Sequence, residues 1–349
     1  MSAGPRRAAL AAACALVAAC GGPAAGAPHD HLIVPKHTTL AAVTDSLVAH
    51  GIVASPRAFR GVARALSLLT TRYRDVDRRL RPGRYDFPRG ERWTVILSAF
   101  ITGRTDDALF TVTEGATIAE IAGVAHAKLG MDSAAFVAAT RDPAFRVRLG
   151  VPADVRGIEG YLFPETYRVP YDAEPQQLVA HMVREFLTVW DPAWDRLAAD
   201  SLEMTRHEVL TLASIVEAEA KVPRERPMIA GVYLNRLKRR VPMKLQADPT
   251  VIYALGKPVR RVLFKHLMVP SPYNTYLHYG LPPGPIGNPG KASILAVLHP
   301  ARHHFLFFVA RPDGTNMFTR SPGEHADSVA VARRLRTEAA TPETGKTPH

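Results

Sequence analysis

Cysteine is scarce in this 349-residue chain, which contains only Cys14 and Cys20. Cys14 falls inside an N-terminal apolar segment of the export-signal type, so a processed chain would keep Cys20 alone. A single cysteine excludes an intramolecular disulfide and a cysteine-based metal site. We therefore expect packing, and not covalent or metal cross-links, to stabilise the folded protein.

Several catalytic motifs are also missing from the sequence. It has no Gly-x-Ser-x-Gly turn of a serine hydrolase and no glycine-rich loop that ends in lysine and serine or threonine to hold a phosphate. The 14 histidines include His29, His31 and the pair His303-His304, but none has the His-Glu-x-x-His spacing of a zinc site. We expect no metal and no other cofactor, which leaves acid–base chemistry by carboxylates.

The charge of the chain favours a polyanionic neighbour. Lysine and arginine number 44 against 32 aspartates and glutamates, a formal net charge of +12. Nucleic acid, an anionic membrane surface, or a cell wall bearing carboxylates and phosphates would each fit. The basic residues are spread along the chain, and their densest runs, residues 72–84 and 236–240, lack a series of stacking aromatics. No nucleic-acid partner is expected.

The first twenty residues predict a bacterial lipoprotein signal. Arg6-Arg7 precedes an apolar stretch from Ala8 to Ala19, which is too short for the roughly twenty residues that span a bilayer. The small residues before Cys20 suit a lipoprotein signal peptidase, and a lipid on Cys20 would anchor the chain. An ordinary cleavable signal or an uncleaved anchor are the alternatives. Each predicts an exported protein facing the periplasm or cell wall, and the lipoprotein reading leaves open which membrane holds it.

The chain after the signal predicts a small lobe over residues 31–105, behind a Gly, Ala and Pro tether at residues 21–30. A strand at residues 32–34 is followed by a helix with Leu40, Val43 and Leu47 on one face. Ser55-Pro56 then begins a second helix that runs to about Leu69, and residues 83–87 form a returning strand. This strand, helix, helix, strand order resembles a LysM-like module, a small fold associated with N-acetylglucosamine-rich glycans.

Residues 106–340 predict a larger mixed lobe whose helices are marked by their caps. Asp248-Pro249 begins a helix that ends at Gly256, Asn288-Pro289 begins one that runs to His299, and Ser321 with Glu324 forms a capping box for the last helix. Residues 305–309 and 316–319 flank a turn and predict a hairpin. Residues 341–349 are polar and predict a disordered tail. The fold class is α+β with two unequal lobes.

Glu217 is the leading catalytic candidate, because it follows the apolar run 212–216 on a predicted helix and an apolar setting favours a general acid. A solvated pair with Lys221, four residues on, is the plain alternative. Glu219 points away from Glu217, since residues two apart on a helix face nearly opposite ways. A retaining hydrolase would need a second carboxylate. Those available are Glu159, Glu165 and Asp248, although Asp248 is also explained as the cap before Pro249.

Five longer segments carry a resemblance to a known family. They are Glu159-Gly160-Tyr161-Leu162-Phe163-Pro164 and the residues 212–220, 245–253, 271–276 and 280–290. On these segments the chain, from about residue 32 to residue 335, resembles the endolytic murein transglycosylase family (MltG, or YceG-like). The resemblance implies that Glu217 is catalytic. It also implies a cleft lined by Glu159, Asn235, Gln246, Asp248, Tyr273, Asn274 and Thr275, although from the residues alone Asn235, Gln246, Tyr273 and Asn274 could equally hydrogen bond inside the fold.

The resemblance further implies an activity and partners. Members cleave peptidoglycan glycan strands between N-acetylmuramic acid and N-acetylglucosamine and leave a 1,6-anhydro end, near peptidoglycan synthases at the membrane. A hydrolytic muramidase and a non-catalytic peptidoglycan-binding lipoprotein are the competing hypotheses. The chain departs from the family in two ways: many members use a transmembrane helix as their anchor, and Thr113-Glu114-Gly115 stands where Pro-Glu-Gly is usual. We expect the second change to affect a strand end more than the cleft.

Overall fold

The structure is a computed structural model that describes residues 22–340 except residues 36, 104–106, 153, 154, 156, 171, 172, 242, 258 and 260. The predicted signal, Cys20 and the predicted tail lie outside the described residues. No helix in the described part of the chain is long and apolar enough to cross a membrane. The chain divides into two compact units, the first reaching Phe110 and taking in Tyr167–Glu174, the second holding Thr111–Thr166 and the chain from Pro175 onward.

The first unit has the predicted strand, helix, helix, strand order. Strand β1 (His29–Val34) pairs with β2 (Gly83–Pro88) in antiparallel register, so that Leu32 lies opposite Tyr85, and both side chains are buried. Ser55 caps its helix by accepting from Ala58 N at 3.4 Å, as predicted. β1 starts inside the predicted tether, and a third helix follows β2. The elements are β1 (His29–Val34), α1 (Leu40–Ala49), α2 (Pro56–Leu69), β2 (Gly83–Pro88), α3 (Trp93–Thr102) and β3 (Ala108–Thr111).

The second unit is mainly helical. Its strands β5 (Phe307–Ala310) and β6 (Asn316–Thr319) form the predicted antiparallel hairpin, with Phe308 opposite Phe318. The strand β4 (Thr166–Val169), most of which belongs to the first unit, pairs with β3. The fold class is therefore α+β, as predicted. The remaining elements are α4 (Ile118–Leu129), α5 (Ser133–Arg141), α6 (Pro143–Arg148), α7 (Pro175–Val189), α8 (Pro192–Leu197), α9 (Arg206–Glu219), α10 (Arg226–Leu237), α11 (Asp248–Leu255), α12 (Lys291–Leu298), β5 (Phe307–Ala310), β6 (Asn316–Thr319) and α13 (Pro322–Ala340).

Helix α9 lies at the centre of the second unit. A capping box starts it: Thr205 Oγ1 accepts from Glu208 N at 3.3 Å, and Glu208 Oε2 accepts from Thr205 N at 2.8 Å. Every residue from 209 to 216 is buried, and α10, α11 and α12 pack around the helix. This packing fixes the last turn of α9, where Glu217 sits.

The helix predicted from Asp248 to Gly256 is confirmed, but the predicted cap at Asp248 and the predicted helix start at Asn288 are wrong, and both errors involve a polar side chain with a distant partner. Asp248 does not cap α11; the cap position is Ala247, and Asp248 Oδ1 accepts from Tyr276 Oη at 2.6 Å. Pro249 is compatible with the first turn of α11, because a proline there loses no helical hydrogen bond. Helix α12 begins at Lys291, not at Asn288-Pro289, because Asn288 binds other segments. Ser321 does cap Glu324 N, at 3.2 Å.

Candidate active site

Both carboxylate oxygens of Glu217 have fixed partners. Oε1 accepts from Arg226 Nη2 at 2.9 Å, and Oε2 accepts from the backbone N–H of Gly290 at 3.0 Å. The side chain of Glu217 is only 7% exposed. These contacts contradict the alternative of a solvated pair with Lys221. Glu217 is a nearly buried carboxylate held in one orientation by a charge and a backbone dipole.

Arg226 joins Glu217 to a second carboxylate. It is the first residue of α10, and its Nε donates to Ser293 Oγ on α12 at 3.0 Å. The same Nη2 atom that binds Glu217 lies 3.7 Å from Glu114 Oε2. The Arg226 side chain is 12% exposed and that of Glu114 is 51% exposed. Sequence reasoning missed Arg226, since its spacing from Glu217 matches no helical pairing pattern.

The loop that carries Glu114 forms one wall of the site. A β-carbon added at Gly290 would overlap the Glu114 carboxylate, and one added at Gly115 would lie 3.6 Å from Glu217 Cγ. Partial burial and the negative charge of Glu217 raise the pKa of Glu114, while Arg226 opposes the shift. The expected effect of threonine at position 113 on a strand end stays a prediction, because these contacts are made by Glu114 and Gly115. The segment borders Glu217.

Asn288 connects three segments around the site and uses all four hydrogen-bonding positions of its side chain. Its Oδ1 accepts from Gly160 N and Leu162 N, both at 2.9 Å. Its Nδ2 donates to Ala116 O at 2.8 Å and to Glu159 Oε1 at 3.0 Å. The residue has no exposed surface. Asn288 therefore holds the 287–290 loop, the 159–162 segment and the Glu114 loop together.

Glu159 is a buried junction. Besides the bond from Asn288, Oε1 accepts from Ile118 N at 2.9 Å and Oε2 accepts from Tyr253 Oη at 3.2 Å. Burial raises the pKa of Glu159 to about 7, although these three hydrogen bonds lower it. The residue predicted to line the cleft thus ties α4, α11 and the 287–290 loop to one another.

The sequence of this chain matches a known protein family. The model of the YceG-like family matches residues 32–331. The chain belongs to the YceG-like family. All the segments that build the site fall inside the matched range, so the predicted resemblance is confirmed.

Named relatives and a solved structure agree with this membership. The endolytic murein transglycosylase of Bacillus subtilis (strain 168) is 32% identical over 308 residues, which are 84% of this chain and 81% of that protein. The protein of the same name from Streptococcus pneumoniae serotype 2 (strain D39) is 28% identical over 72% of this chain, which spans 50% of its length. A crystal structure of a yceG-like protein from Listeria monocytogenes has a TM-score of 0.58 and 30% identity, covering 86% of this chain and 99% of that one.

Three residues predicted to line the cleft of this YceG-like chain use their side chains inside the fold. Asn235 donates to two backbone carbonyls before β5, at 2.8 and 3.0 Å. Asn274, with no exposed surface, donates to two carbonyls of a neighbouring turn at 3.0 and 2.9 Å. The hydroxyl of Thr275, 2% exposed, accepts from a backbone N–H at 3.0 Å. Asn274 and Thr275 leave almost no surface for a sugar, and the side-chain amide of Asn235 is bound to backbone carbonyls.

Three others keep surface for a ligand. Gln246 is exposed and has a left-handed φ of 49°. Asp248 is also exposed, and Tyr273 packs its ring 4.8 Å from that of Tyr253. Asp248 is the first residue of α11, which packs against α9, and Gln246 lies two residues before it.

Glu219 has surroundings of its own, separate from those of Glu217. It accepts from Tyr233 Oη at 3.0 Å. Burial raises the pKa of Glu219 to about 7, the Tyr233 hydrogen bond lowers it, and the charge of Asp248 raises it further. Among residues 22–340, apart from the gaps named above, no cluster of three or more His, Cys, Asp or Glu side chains is placed to hold a metal ion.

Proposed function

We propose that this YceG-like protein is an endolytic lytic transglycosylase of peptidoglycan and that Glu217 is its general acid and base. The observation that carries the proposal is the double anchoring of a nearly buried Glu217 between Arg226 and Gly290 N. Two relatives that share most of the chain are named endolytic murein transglycosylases. Acid–base catalysis requires a carboxyl group held at hydrogen-bonding distance from the reacting oxygen, and a fixed carboxylate supplies that geometry.

In the proposed reaction Glu217 acts twice. It first gives a proton to the glycosidic oxygen between N-acetylmuramic acid and N-acetylglucosamine, and the bond breaks with oxocarbenium character. It then takes the proton of the muramic acid O6 hydroxyl as that oxygen closes on C1. The products are a free N-acetylglucosamine end and a 1,6-anhydro end, and no water is consumed. One carboxyl group is sufficient for both steps.

Positive charge that develops at C1 needs stabilisation from the substrate's N-acetyl carbonyl or from a polar group of the protein. Among the candidates from the sequence, Asn274 has both amide hydrogens bound to backbone carbonyls. Gln246 and Asp248 are exposed, and Tyr273 is partly exposed. We therefore assign contacts with the glycan to Gln246, Asp248 and Tyr273, and assign Glu159, Asn235, Asn274 and Thr275 to support of the loops that carry them.

The proposal includes a location. A glycan substrate in the cell wall requires export, and we propose a lipid anchor on Cys20 that keeps the enzyme at a membrane, near peptidoglycan synthases. The net charge of +12 suits an anionic membrane and an anionic wall.

Product mass tests the reaction type. The purified protein is incubated with uncrosslinked peptidoglycan strands, and the new ends are analysed by mass spectrometry. Ends one water lighter than hydrolysis gives are expected. Full-mass reducing sugars would instead indicate a hydrolytic muramidase, and intact strands would favour a binding protein without catalysis.

A further inference from the structure

The Arg226 guanidinium lies between the carboxylates of Glu217 and Glu114, and a third side chain holds its Nε atom. Its Nε is bound to Ser293 Oγ at 3.0 Å, while Nη2 is 2.9 Å from Glu217 Oε1 and 3.7 Å from Glu114 Oε2. With Nε anchored, a small rotation of the guanidinium exchanges one carboxylate for the other. The arrangement therefore permits two pairings of the same arginine.

The pairing seen in the structure opposes the first chemical step. A general acid must carry a proton when the glycosidic bond breaks, but an adjacent positive charge stabilises the ionised form of a carboxylate. A second negative charge nearby favours the protonated form of that carboxylate instead. A second hydrogen-bond acceptor can also pair with the arginine and draw it away. Glu114 supplies both the negative charge and the second acceptor.

We propose that Glu114 is a positioning residue that draws the Arg226 guanidinium away from Glu217 when the glycan binds, so that Glu217 can hold the proton it donates. This inference rests on the proposed function. About half of the Glu114 side chain is open to solvent, which weakens its attraction for Arg226 in the free enzyme. A glycan that covers this exposed half removes water and strengthens the Glu114–Arg226 pair.

The loop geometry holds Glu114 in place for this role. Gly115 N donates to Asn288 O at 2.8 Å, and Ala116 N donates to Thr113 O at 3.2 Å, so the backbone on either side of Glu114 is fixed. In this position the Glu114 carboxylate occupies the space that a β-carbon at residue 290 would take. The charge of Glu217 contributes to the raised pKa of Glu114, so the two carboxylates interact.

Other titratable groups lie on the elements packed around Glu217, but the contacts described for Glu217 involve Arg226 and Gly290. Glu219 is bound to Tyr233, and Asp248 to Tyr276. The groups are Glu219 and Lys221 beside Glu217 on its own helix, Tyr233 and Arg236 on α10, Asp248 and Tyr253 on α11, and Lys291 on α12. They are unchanged in the variants below, so a shift between variants reports on Glu114 and Arg226.

The test compares pH–rate profiles of strand cleavage for the full-length protein and for Glu114→Gln. Without the second carboxylate, Arg226 stays on Glu217, and we expect the alkaline limb to move about one pH unit lower, an about tenfold slower rate on that limb. Arg226→Gln should move the same limb to higher pH, and Glu114→Asp should restore part of the wild-type profile. Glu338→Gln is the control, since Glu338 is a similarly exposed carboxylate beside Arg334.

Three results would overturn the inference. They are an unshifted alkaline limb, a limb shifted to higher pH, and a folded Glu114→Gln variant that is slower by the same factor at every pH, which would indicate a role in binding alone. In each of these cases anhydro products from the wild type would leave the proposed function intact. Absence of cleavage by the wild type would overturn both. Circular dichroism and thermal unfolding confirm that each variant is folded.

Discussion

The side-chain amide of Asn288 donates to Glu159 Oε1 over 3.0 Å, although 129 residues separate the two in the chain. Both side chains are buried. Through this contact the loop that places Gly290 N against Glu217 is tied to α4 and α11. The geometry of the proposed acid therefore depends on a polar junction beneath the site.

Loss of the contacts of Asn288 should lower the stability of the fold. Asn288→Ala leaves the N–H groups of Gly160 and Leu162 without an acceptor and removes one of the two donors to Glu159 Oε1, and buried unsatisfied groups cost about 1–3 kcal/mol each. We expect the free energy of unfolding to fall by at least about 3 kcal/mol in urea denaturation. The exposed substitution Gln176→Ala should change it by less than about 0.5 kcal/mol. A loss below about 1 kcal/mol for Asn288→Ala would contradict the role of Asn288.

Glu159 should make stability depend on pH. Its pKa is raised from 4.5 to about 7 in the folded protein, so the folded state binds the proton more tightly than the unfolded state. Its contribution is therefore present below about pH 4.5, is lost as pH rises to about 7, and is constant above that, a fall of about 3 kcal/mol. Urea denaturation at pH 5 and pH 7.5 measures the fall.

Glu159→Gln should reduce that fall, because the glutamine does not ionise. A smaller slope should remain from Glu219, whose pKa is also raised to about 7. An undiminished fall in the variant would show that other groups control the pH dependence.

Gln246 offers a way to separate glycan binding from folding. Its φ of 49° is a conformation that favours glycine. Gln246→Gly should therefore change the free energy of unfolding by no more than about 1 kcal/mol while raising KM for glycan strands. Asn274→Ala should instead lower stability, because it removes two buried hydrogen bonds. If Gln246→Gly left KM unchanged, we would remove Gln246 from the glycan contacts.

The sequence predicts those parts of the fold that depend on neighbours along the chain. Ser55 with Pro56 marks a helix start, and the hairpin of β5 and β6 follows from alternating residues around a turn. The predicted capping roles of Asp248 and Asn288 are wrong for the same reason. Each has a side chain suited to capping next to a proline, yet each binds a partner far along the chain. Local pattern carries no information about Tyr276 or Glu159.

The same limit applies to the site. An apolar helical run ending in a carboxylate makes Glu217 a candidate, and the family resemblance selects it. Its partners Arg226, Gly290 and Glu114 come from α10, the 287–290 loop and the loop before α4, and only the packing of these elements around α9 brings them together. The sequence thus indicates Glu217 as the proposed acid but not the groups that contact its carboxylate.

The most direct test of the central claim is the rate at which 1,6-anhydro ends appear with wild-type protein and with Glu217→Gln. The glutamine keeps the shape of the side chain and an oxygen that can accept a hydrogen bond, but cannot donate or accept the catalytic proton. Glu219→Gln, the same change two residues along the helix, is the control and should keep its rate within about tenfold. We predict that Glu217→Gln lowers the rate at least about a hundredfold; a near-normal rate of anhydro ends would contradict the account.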